Sequence, residues 1–408
     1  MLGVIFSFFS SEVEKRRTIK KCGLLSIILG LIVGVYWILR VIKDNVFFKI
    51  VGPSYQPVAK ILSLLIMIPL IFLYSHLVDK APRHRMFYSL ATFYGCGMLL
   101  FSYLLNHPII GLSNTQASPD RIVGWLLYFF VESFGSLMVA LFWSFTSDIS
   151  TPQSAQQGYP IVALGAQVGA FACTLLLRNS VRTYGAPYVI LVASFLTFLI
   201  IGFVKTFIFI EPDAKDIKVT KLKTKYKKRT GFFEGLRLMM QNPYLFGIFI
   251  IVLFYGVINS ILDFQFKLLA NAAFVDHKAF GAYLFDAAIW INGLAVLAII
   301  FGVNNITKRL GITTSLIFLP VLIGAAVIVL GLRADIAISF WIVVLCKAIN
   351  YALNQPTKEQ LYIPTSTDAK YKSKAWIDVF GSRGAKSVGS FINIWQAFCG
   401  PMMFVFIS

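Results

Sequence analysis

Long apolar segments recur along almost the whole chain, and they constrain its fold more than any other feature. Of the 408 residues, 58% are hydrophobic and 13% are charged. A helix needs roughly 20 apolar residues to cross a bilayer, and eleven segments approach that length. The predicted spans are 22–42 (continuing toward 50), 57–78, 86–106, 122–147, 159–177, 187–210, 244–266, 279–303, 312–332, 336–355 and 384–408. The sequence therefore predicts an all-α, polytopic membrane protein with about eleven transmembrane helices.

Basic residues are distributed unevenly between the segments that connect the spans. Lys and Arg concentrate in the N-terminal tail, in the connections 75–85 and 304–311, and in the stretch 211–243. The connections on the other side contain few basic residues, and we count Arg178 and Lys267 among them. Because cytoplasmic loops carry the excess of Lys and Arg, the N-terminus is predicted to be cytoplasmic.

The same asymmetry accounts for much of the formal net charge of +19. A nucleic-acid-binding protein clusters its basic residues on one face, whereas here they are scattered among loops. We therefore expect a lipid bilayer and no nucleic acid as partner, and the sequence makes no prediction of oligomeric state. No Arg- and Ser-rich transit leader is evident, so the expected location is a bacterial inner membrane.

The spans fall into two groups on either side of the charge-dense linker. The connections 75–85 and 304–311 each follow the second span of a group. Matching halves with a substrate site at their interface are typical of major-facilitator-like carriers, so we predict this two-bundle fold with its twelfth helix apparently missing. The predicted units are a cytoplasmic amphipathic and basic N-terminus at 1–21, a six-helix bundle at 22–210, a basic cytoplasmic linker at 211–243 and a five-helix bundle at 244–408.

Ionisable residues lie inside several predicted spans. They are Lys43, Glu132, Asp263, Lys347 and Lys386. An ionised group in a span costs several kcal/mol unless it has a partner or lines a water-filled interior. These residues therefore predict a polar pathway for a charged solute. Arg40 lies on the same helix face as Lys43, where Asp44 can neutralise one of the two.

Polar residues recur at helical spacing beside these charges. Asn259 lies one turn before Asp263, and Asn350 lies three residues after Lys347, so each pair shares a helix face. Asn side chains in membranes also form hydrogen bonds that only hold helices together. For each single Asn, a role in holding helices together and a role in binding substrate therefore both stay open.

The densest group of polar and charged residues lies at 358–390. Lys374, Arg383 and Lys386 are cations suited to a polyanionic substrate, and Asp378 follows Lys374 by one helical turn. A nucleotide-hydrolysing phosphate loop is the alternative, but it needs four residues between its glycines and a Lys directly after the second. Only two residues separate Gly381 from the next glycine, so the spacing does not fit.

Catalytic and metal sites have little support in the sequence. The five Cys residues are spread singly over apolar spans without a CxxC spacing, and the four His residues are isolated near span ends. Metal sites need such ligands in clusters. We therefore predict no metal, no cofactor and no enzymatic activity.

Four sequence stretches together resemble a known family. They are RVIKD at 40–44, VESFGSLMVALFWSF at 131–145, KEQLYIP at 358–364 and KSKAWIDVFGSRGAKSVGS at 372–390. The chain resembles, over essentially its whole length, the ATP/ADP translocases (TLC nucleotide transporters) of obligate intracellular bacteria and plastids.

The resemblance implies exchange of nucleotides such as ATP and ADP by a twelve-helix carrier with four important intramembrane charges. By motif position, these charges correspond to Lys43, Glu132, Asp263 and Lys386. Two positions depart from the family pattern, which has Glu where this chain has Asp263 and Gly where it has Ala385.

The expected mechanism uses one lysine from each half. Lys43 and Lys386 would bind the phosphates, and Glu132 and Asp263 would pair with these two lysines in the empty carrier. Two alternatives stay open from the sequence. One is a major-facilitator-like carrier for another organic anion, and the other is a transport-inactive receptor or assembly protein built on a degenerate carrier fold.

Overall fold

Helices account for all the regular secondary structure that the structure describes. It is a computed structural model, and it describes residues 2–80, 82–150, 152–212, 234–301, 303–332, 335–354, 357–358, 361, 377 and 381–399. The helices are α1 (Leu2–Ile50), α2 (Gln56–Lys80), α3 (Arg83–Asn106), α4 (Ile122–Asp148), α5 (Pro152–Tyr184), α6 (Ala186–Ile210), α7 (Glu234–Gln241), α8 (Pro243–Ala273), α9 (His277–Ile300), α10 (Val303–Leu332), α11 (Ile336–Ile349) and α12 (Ser382–Cys399). A π-helical turn at Asn350–Asn354 extends α11.

The helices reproduce the predicted spans closely. Among the described residues, nine helices are long and apolar enough to cross a membrane. The predicted span at 312–332 falls on α10, where the apolar part is Thr314–Leu330. The predicted span at 384–408 begins in α12, and its residues 400–408 lie outside the described part of the chain. The prediction of an all-α polytopic membrane protein is confirmed.

Helix α1 continues past the point where its apolar run is interrupted by charge. Arg40, Lys43 and Asp44 all lie within one helix that ends only at Ile50. Directly after it, Gly52 adopts a φ of +116°, which residues with a side chain rarely adopt. The charged turn is therefore part of the membrane-spanning helix.

Close packing between the first and fifth helices occurs in both halves of the molecule. We call α1–α6 the first half and α8–α12 the second half. A Cβ added at Gly30 on α1 would lie 2.9 Å from the carbonyl oxygen of Gly165 on α5, so only glycine lets these helices approach this closely. In the second half, a Cβ added at Gly389 on α12 would lie 2.7 Å from the carbonyl oxygen of Val257 on α8.

The two halves meet along helices α5 and α9, α2 and α12, and α1 and α9. Polar contacts join them where α1, α5 and α8 end and α9 begins. Lys49 Nζ donates to the carbonyl oxygen of Phe274 at 3.3 Å, and Lys278 Nζ donates to that of Thr183 at 3.0 Å. The halves are therefore in contact at this end of the bundle.

A salt bridge joins the halves further along the same helices. Arg178 on α5 forms a two-pronged contact with Asp286 on α9, with Nη2 at 2.9 Å from Oδ2. The assignment of Arg178 to a loop is wrong, because α5 extends beyond the predicted end of its span at 177 to Tyr184. The residue is an interhelical contact and not a topology signal.

Candidate functional site

A narrow polar cavity of about 60 Å³ lies between the two halves. Residues of α1, α2 and α4 line it from the first half, and residues of α8 and α12 line it from the second. This volume is smaller than the roughly 300–1,000 Å³ that is typical of small-molecule sites. We call it the central cavity.

Cations outnumber carboxylates among the described residues that line the central cavity. The cations are Arg40, Lys43, Lys60, Lys267, Arg383 and Lys386. The carboxylates are Asp44, Glu132 and Asp263. Six cations and three carboxylates give the lining an excess of three positive charges. A cavity with this excess attracts anions, and it favours those with several charges.

The first ion pair of the cavity joins α1 to α4 within the first half. Lys43 Nζ lies 2.5 Å from Glu132 Oε1 and 3.9 Å from Asp44 Oδ1. It also lies 4.3 Å from the centroid of the Tyr128 ring, a cation–π distance. Lys43 is only 5% exposed. Glu132 is thus paired with one of the two lysines that the sequence named as partners for the cavity carboxylates.

A second charge cluster connects the two halves. Lys267 Nζ on α8 lies 2.7 Å from Asp44 Oδ2 on α1 and also contacts Asp263 Oδ2 one turn away. Lys347 on α11 binds the other oxygen of Asp263. Gln56 Nε2 donates to Asp44 Oδ1 at 3.0 Å. Each carboxylate of this cluster is therefore neutralised by at least one lysine.

Two expectations about this cluster are wrong. Asp263 pairs with Lys267 and Lys347, and with neither Lys43 nor Lys386, because its carboxylate contacts the lysine one turn along α8 and the lysine on α11. Lys267 is not a loop residue, because α8 extends past the predicted end at 266 to Ala273. It is 7% exposed, and the carboxylates at Asp44 and Asp263 compensate its charge.

The remaining cavity cations have no carboxylate within 4 Å among the described residues. Arg40 Nη1 donates to the Tyr351 hydroxyl at 3.3 Å, and its guanidinium lies 4.8 Å from the Trp37 ring centroid. Arg383 on α12 donates to the hydroxyl of Ser136 on α4.

The Lys386 side chain is exposed and lines the cavity. Both Lys386 and Arg383 are therefore placed to meet an anion that enters between the halves, and α12 positions the two side chains within one turn of each other.

The other candidate residues are distributed around the cavity. Asn259 lines it, whereas Lys347 lines a smaller neighbouring space behind Asp263. Asn350 accepts a hydrogen bond from Asn354 at 2.8 Å and is buried, which is a packing role. Lys374 and Asp378 lie outside the described residues.

Sequence reasoning missed two lysines of the site. Lys60 lies in the apolar run of the second span, and the rule that singled out Lys43 applies to it equally. Lys267 was recognisable from its position four residues after Asp263, since acidic and basic residues at this spacing pair on one helix face. Both lie close to predicted span ends, where charged residues are common.

The described residues contain no group of three or more His, Cys, Asp or Glu side chains placed to hold a metal ion. The three cavity carboxylates are bound by lysines. What the cavity presents to a ligand is therefore cationic nitrogen together with hydroxyl and amide groups.

A family model described as TLC ATP/ADP transporter matches residues 12–334 and 327–399. The chain belongs to the TLC ATP/ADP transporter family. This membership confirms the resemblance that was seen in the sequence motifs, and it confirms the prediction of a nucleotide carrier that crosses the membrane several times.

Curated members of the TLC family from two bacterial genera align with nearly the whole chain. It is 24% identical to ADP,ATP carrier protein 4 of Rickettsia bellii, and the alignment covers 96% of this chain and 88% of that protein. It is 25% identical to ADP,ATP carrier protein 1 of Chlamydia muridarum, with 88% and 78% covered.

Solved structures of other transporters share the fold of this TLC family member. A crystal structure of the nucleoside transporter NupG matches with a TM-score of 0.63 at 14% identity, covering 92% of this chain and 91% of that chain. A partially occluded inward-open structure of the xylose transporter XylE matches with a TM-score of 0.58 at 11% identity, covering 93% and 92%. The major-facilitator-like architecture predicted from sequence is confirmed.

Proposed function

We propose that this protein exchanges ATP for ADP across a membrane by alternating access, without chemical conversion of either nucleotide. The observation that carries the proposal is the excess of three positive charges among the described residues of the central cavity. ADP and ATP are polyanions, and the curated relatives are named as ADP,ATP carriers. The charge of the cavity and the substrate named for these relatives are therefore complementary.

The strength of the electrostatic attraction suits a transporter. A phosphate charge about 4 Å from a lysine gains on the order of 4 kcal/mol at an effective dielectric constant near 20. Two or three such contacts offset much of the cost of removing water from the phosphates, yet they still allow release. We assign phosphate binding to Lys386 and Arg383 from the second half. Lys43 contributes from the first half once its ion pair with Glu132 opens.

The cations of the cavity that have no described carboxylate partner support obligatory exchange. Glu132 neutralises Lys43 at 2.5 Å, while Lys386 and Arg383 have no described carboxylate partner. An empty carrier that reorients must take these uncompensated cations through a closed, desolvated state, which is costly. Bound nucleotide supplies the missing negative charge, so reorientation is faster when substrate is present.

The orientation and the division of the chain are part of the proposal. We place the N-terminus in the cytoplasm of a bacterium and the protein in its inner membrane, because basic residues concentrate on that side. The moving units are then the bundles at 22–210 and 244–408, joined by the linker at 211–243. In this orientation, the contacts of Lys49 and Lys278 close the external side.

Uptake into liposomes tests the proposed function. Purified protein is reconstituted, and uptake of labelled ATP is compared between vesicles preloaded with ADP and empty vesicles. We expect rapid uptake only with ADP inside, and competition by unlabelled ATP and ADP but not by sugar phosphates. Competition by sugar phosphates would favour a carrier for another anion. No uptake in either preparation would favour the receptor or assembly protein.

A further inference from the structure

Lys60 is a cation of the central cavity that neither the family motifs nor the ion pairs account for. It lies in the second turn of α2, and its side chain lines the cavity and is partly buried. Its ammonium donates to the hydroxyl of Ser260 on α8 at 3.5 Å, which is at the long limit of a hydrogen bond. Among the described residues, no carboxylate lies within 4 Å of it.

The other first-half lysine of the cavity is held differently. Lys43 is bound by Glu132 at 2.5 Å and is 5% exposed. A polyanion that binds Lys43 competes with the Glu132 carboxylate, whereas binding to Lys60 breaks no described ion pair. Of these two lysines, Lys60 is therefore the one with no described ion pair to give up.

An unpaired ammonium inside a membrane protein needs an explanation. Placing a cation within a span costs several kcal/mol unless it has a partner or water, and an apolar residue at position 60 would fill the same space on α2 without that cost. The Ser260 hydroxyl removes only part of the cost, because it is neutral and distant. The missing partner of Lys60 is therefore expected to be an anion that is present for only part of the cycle.

The position of Lys60 indicates which anion this is. The Ser260 hydroxyl that accepts from Lys60 donates to the backbone carbonyl of Lys386 at 3.3 Å. Ser260 thus contacts the side chain of Lys60 on α2 and the backbone of Lys386 on α12. Both lysines line the central cavity, and α2 and α12 pack against each other across the boundary between the halves. An extended anion at this place touches both halves at once.

We propose that Lys60 is a phosphate-binding residue that contacts the nucleotide together with Lys386, so that the phosphate chain bridges α2 and α12. This inference rests on the proposed function. Lys60 then distinguishes substrates by the number of their phosphate groups, since a longer phosphate chain reaches both lysines and a single phosphate reaches one.

The test measures equilibrium binding of ATP, ADP and AMP to the full-length protein in detergent. Lys60→Met removes the charge and keeps the length of the side chain, and Lys60→Arg keeps the charge. Lys205→Met is the matched control, because Lys205 is exposed on α6 and does not line the cavity. One lost charge-assisted contact is expected to weaken ATP binding by about tenfold or more.

The pattern across the three nucleotides separates phosphate binding from a structural role. We expect Lys60→Met to weaken binding of ATP and ADP strongly and of AMP little, Lys60→Arg to retain most of the affinity, and Lys205→Met to match the wild type. Unchanged affinities, or an equal loss for all three nucleotides, would overturn the inference. If Lys60→Met does not fold, Lys60→Gln is measured against the same criteria.

Failure of this inference and failure of the proposed function give different results. Wild-type protein that exchanges ATP for ADP in liposomes, while Lys60→Met binds all three nucleotides normally, leaves the function in place and refutes only the role of Lys60. Wild-type protein that binds ATP through Lys60 but performs no exchange refutes the carrier and supports the phosphate contact.

Discussion

Lys267 on α8 and Asp44 on α1 form a buried salt bridge of 2.7 Å across the boundary between the two halves. Both side chains are less than a tenth exposed, and Asp263 shares the same ammonium. Any motion that separates α1 from α8 must break this contact. The bridge therefore stabilises the conformation in which the halves meet beside the central cavity.

Asp44→Asn is expected to destabilise this closed arrangement. The change removes the negative charge that α1 offers to Lys267 and leaves the lysine with Asp263 alone. Breaking one partner of a buried ion pair costs about 3–5 kcal/mol. We expect a lower thermal unfolding temperature in detergent than for Asp120→Asn, an exposed loop position. Equal stability of the two variants would argue against the bridge.

Glu132 and Lys43 are expected to act as a unit in transport. Glu132→Gln and Lys43→Gln should each abolish most ATP/ADP exchange, because each leaves a buried charge without its partner. The double substitution should lose less than the sum of the two single losses, since residues in contact are coupled. Initial rates of exchange in liposomes provide the measurement. Strictly additive losses would show that the two residues work independently.

Exchange and stability are expected to depend on the charge at position 263 more than on the length of its side chain. Asp263→Asn leaves Lys267 and Lys347 with one fewer carboxylate, whereas Asp263→Glu keeps the charge that both lysines contact. We expect Asp263→Glu to retain more exchange and a higher unfolding temperature than Asp263→Asn. An equal loss in both variants would count against an ion-pair role for this residue.

Lys386→Ala is expected to abolish nucleotide exchange while the protein stays folded in the membrane. The side chain is exposed to the cavity and has no described ion pair to lose, so the unfolding temperature should change little. Lys205→Ala is the control for loss of an exposed lysine. Exchange at the wild-type rate in Lys386→Ala would remove this residue from the substrate site.

Removal of magnesium is expected to increase the rate of transport. Lysines bind the cavity carboxylates Asp44, Glu132 and Asp263, so these oxygens are not free to hold a hydrated Mg²⁺ ion, which prefers carboxylate and phosphate ligands. The metal also cancels two charges of the nucleotide. Initial ATP uptake should therefore be faster in EDTA than in excess Mg²⁺, and rates that rise with the concentration of Mg–ATP would contradict this.

The sequence predicted the helices well because the bilayer imposes a simple rule on them. A polar backbone in hydrocarbon must form helices, and each helix needs a minimum length of apolar residues. Span ends were less accurate where a charge interrupted the apolar run, as at Lys267. The helix continues there because Asp44 and Asp263 compensate the charge.

The charged residues of the site were largely predictable, but the partners of Asp263 were not. Lys43, Glu132, Asp263 and Lys386 all line the central cavity, and the cost of burying a charge was enough to select them. The partner of Asp263 depends on which helices are neighbours in space, and periodicity along one helix contains no information about its neighbours. The expected pairing of Asp263 with Lys43 or Lys386 was wrong for that reason.

A structure of the protein with ADP bound is the most direct test of the central claim that phosphates bind between the two halves. We expect density for the phosphate chain in the central cavity, with phosphate oxygens within about 4 Å of the Lys386 ammonium, a distance at which an ion pair gains several kcal/mol. Phosphates bound outside this cavity, with Lys386 unoccupied, would contradict the account.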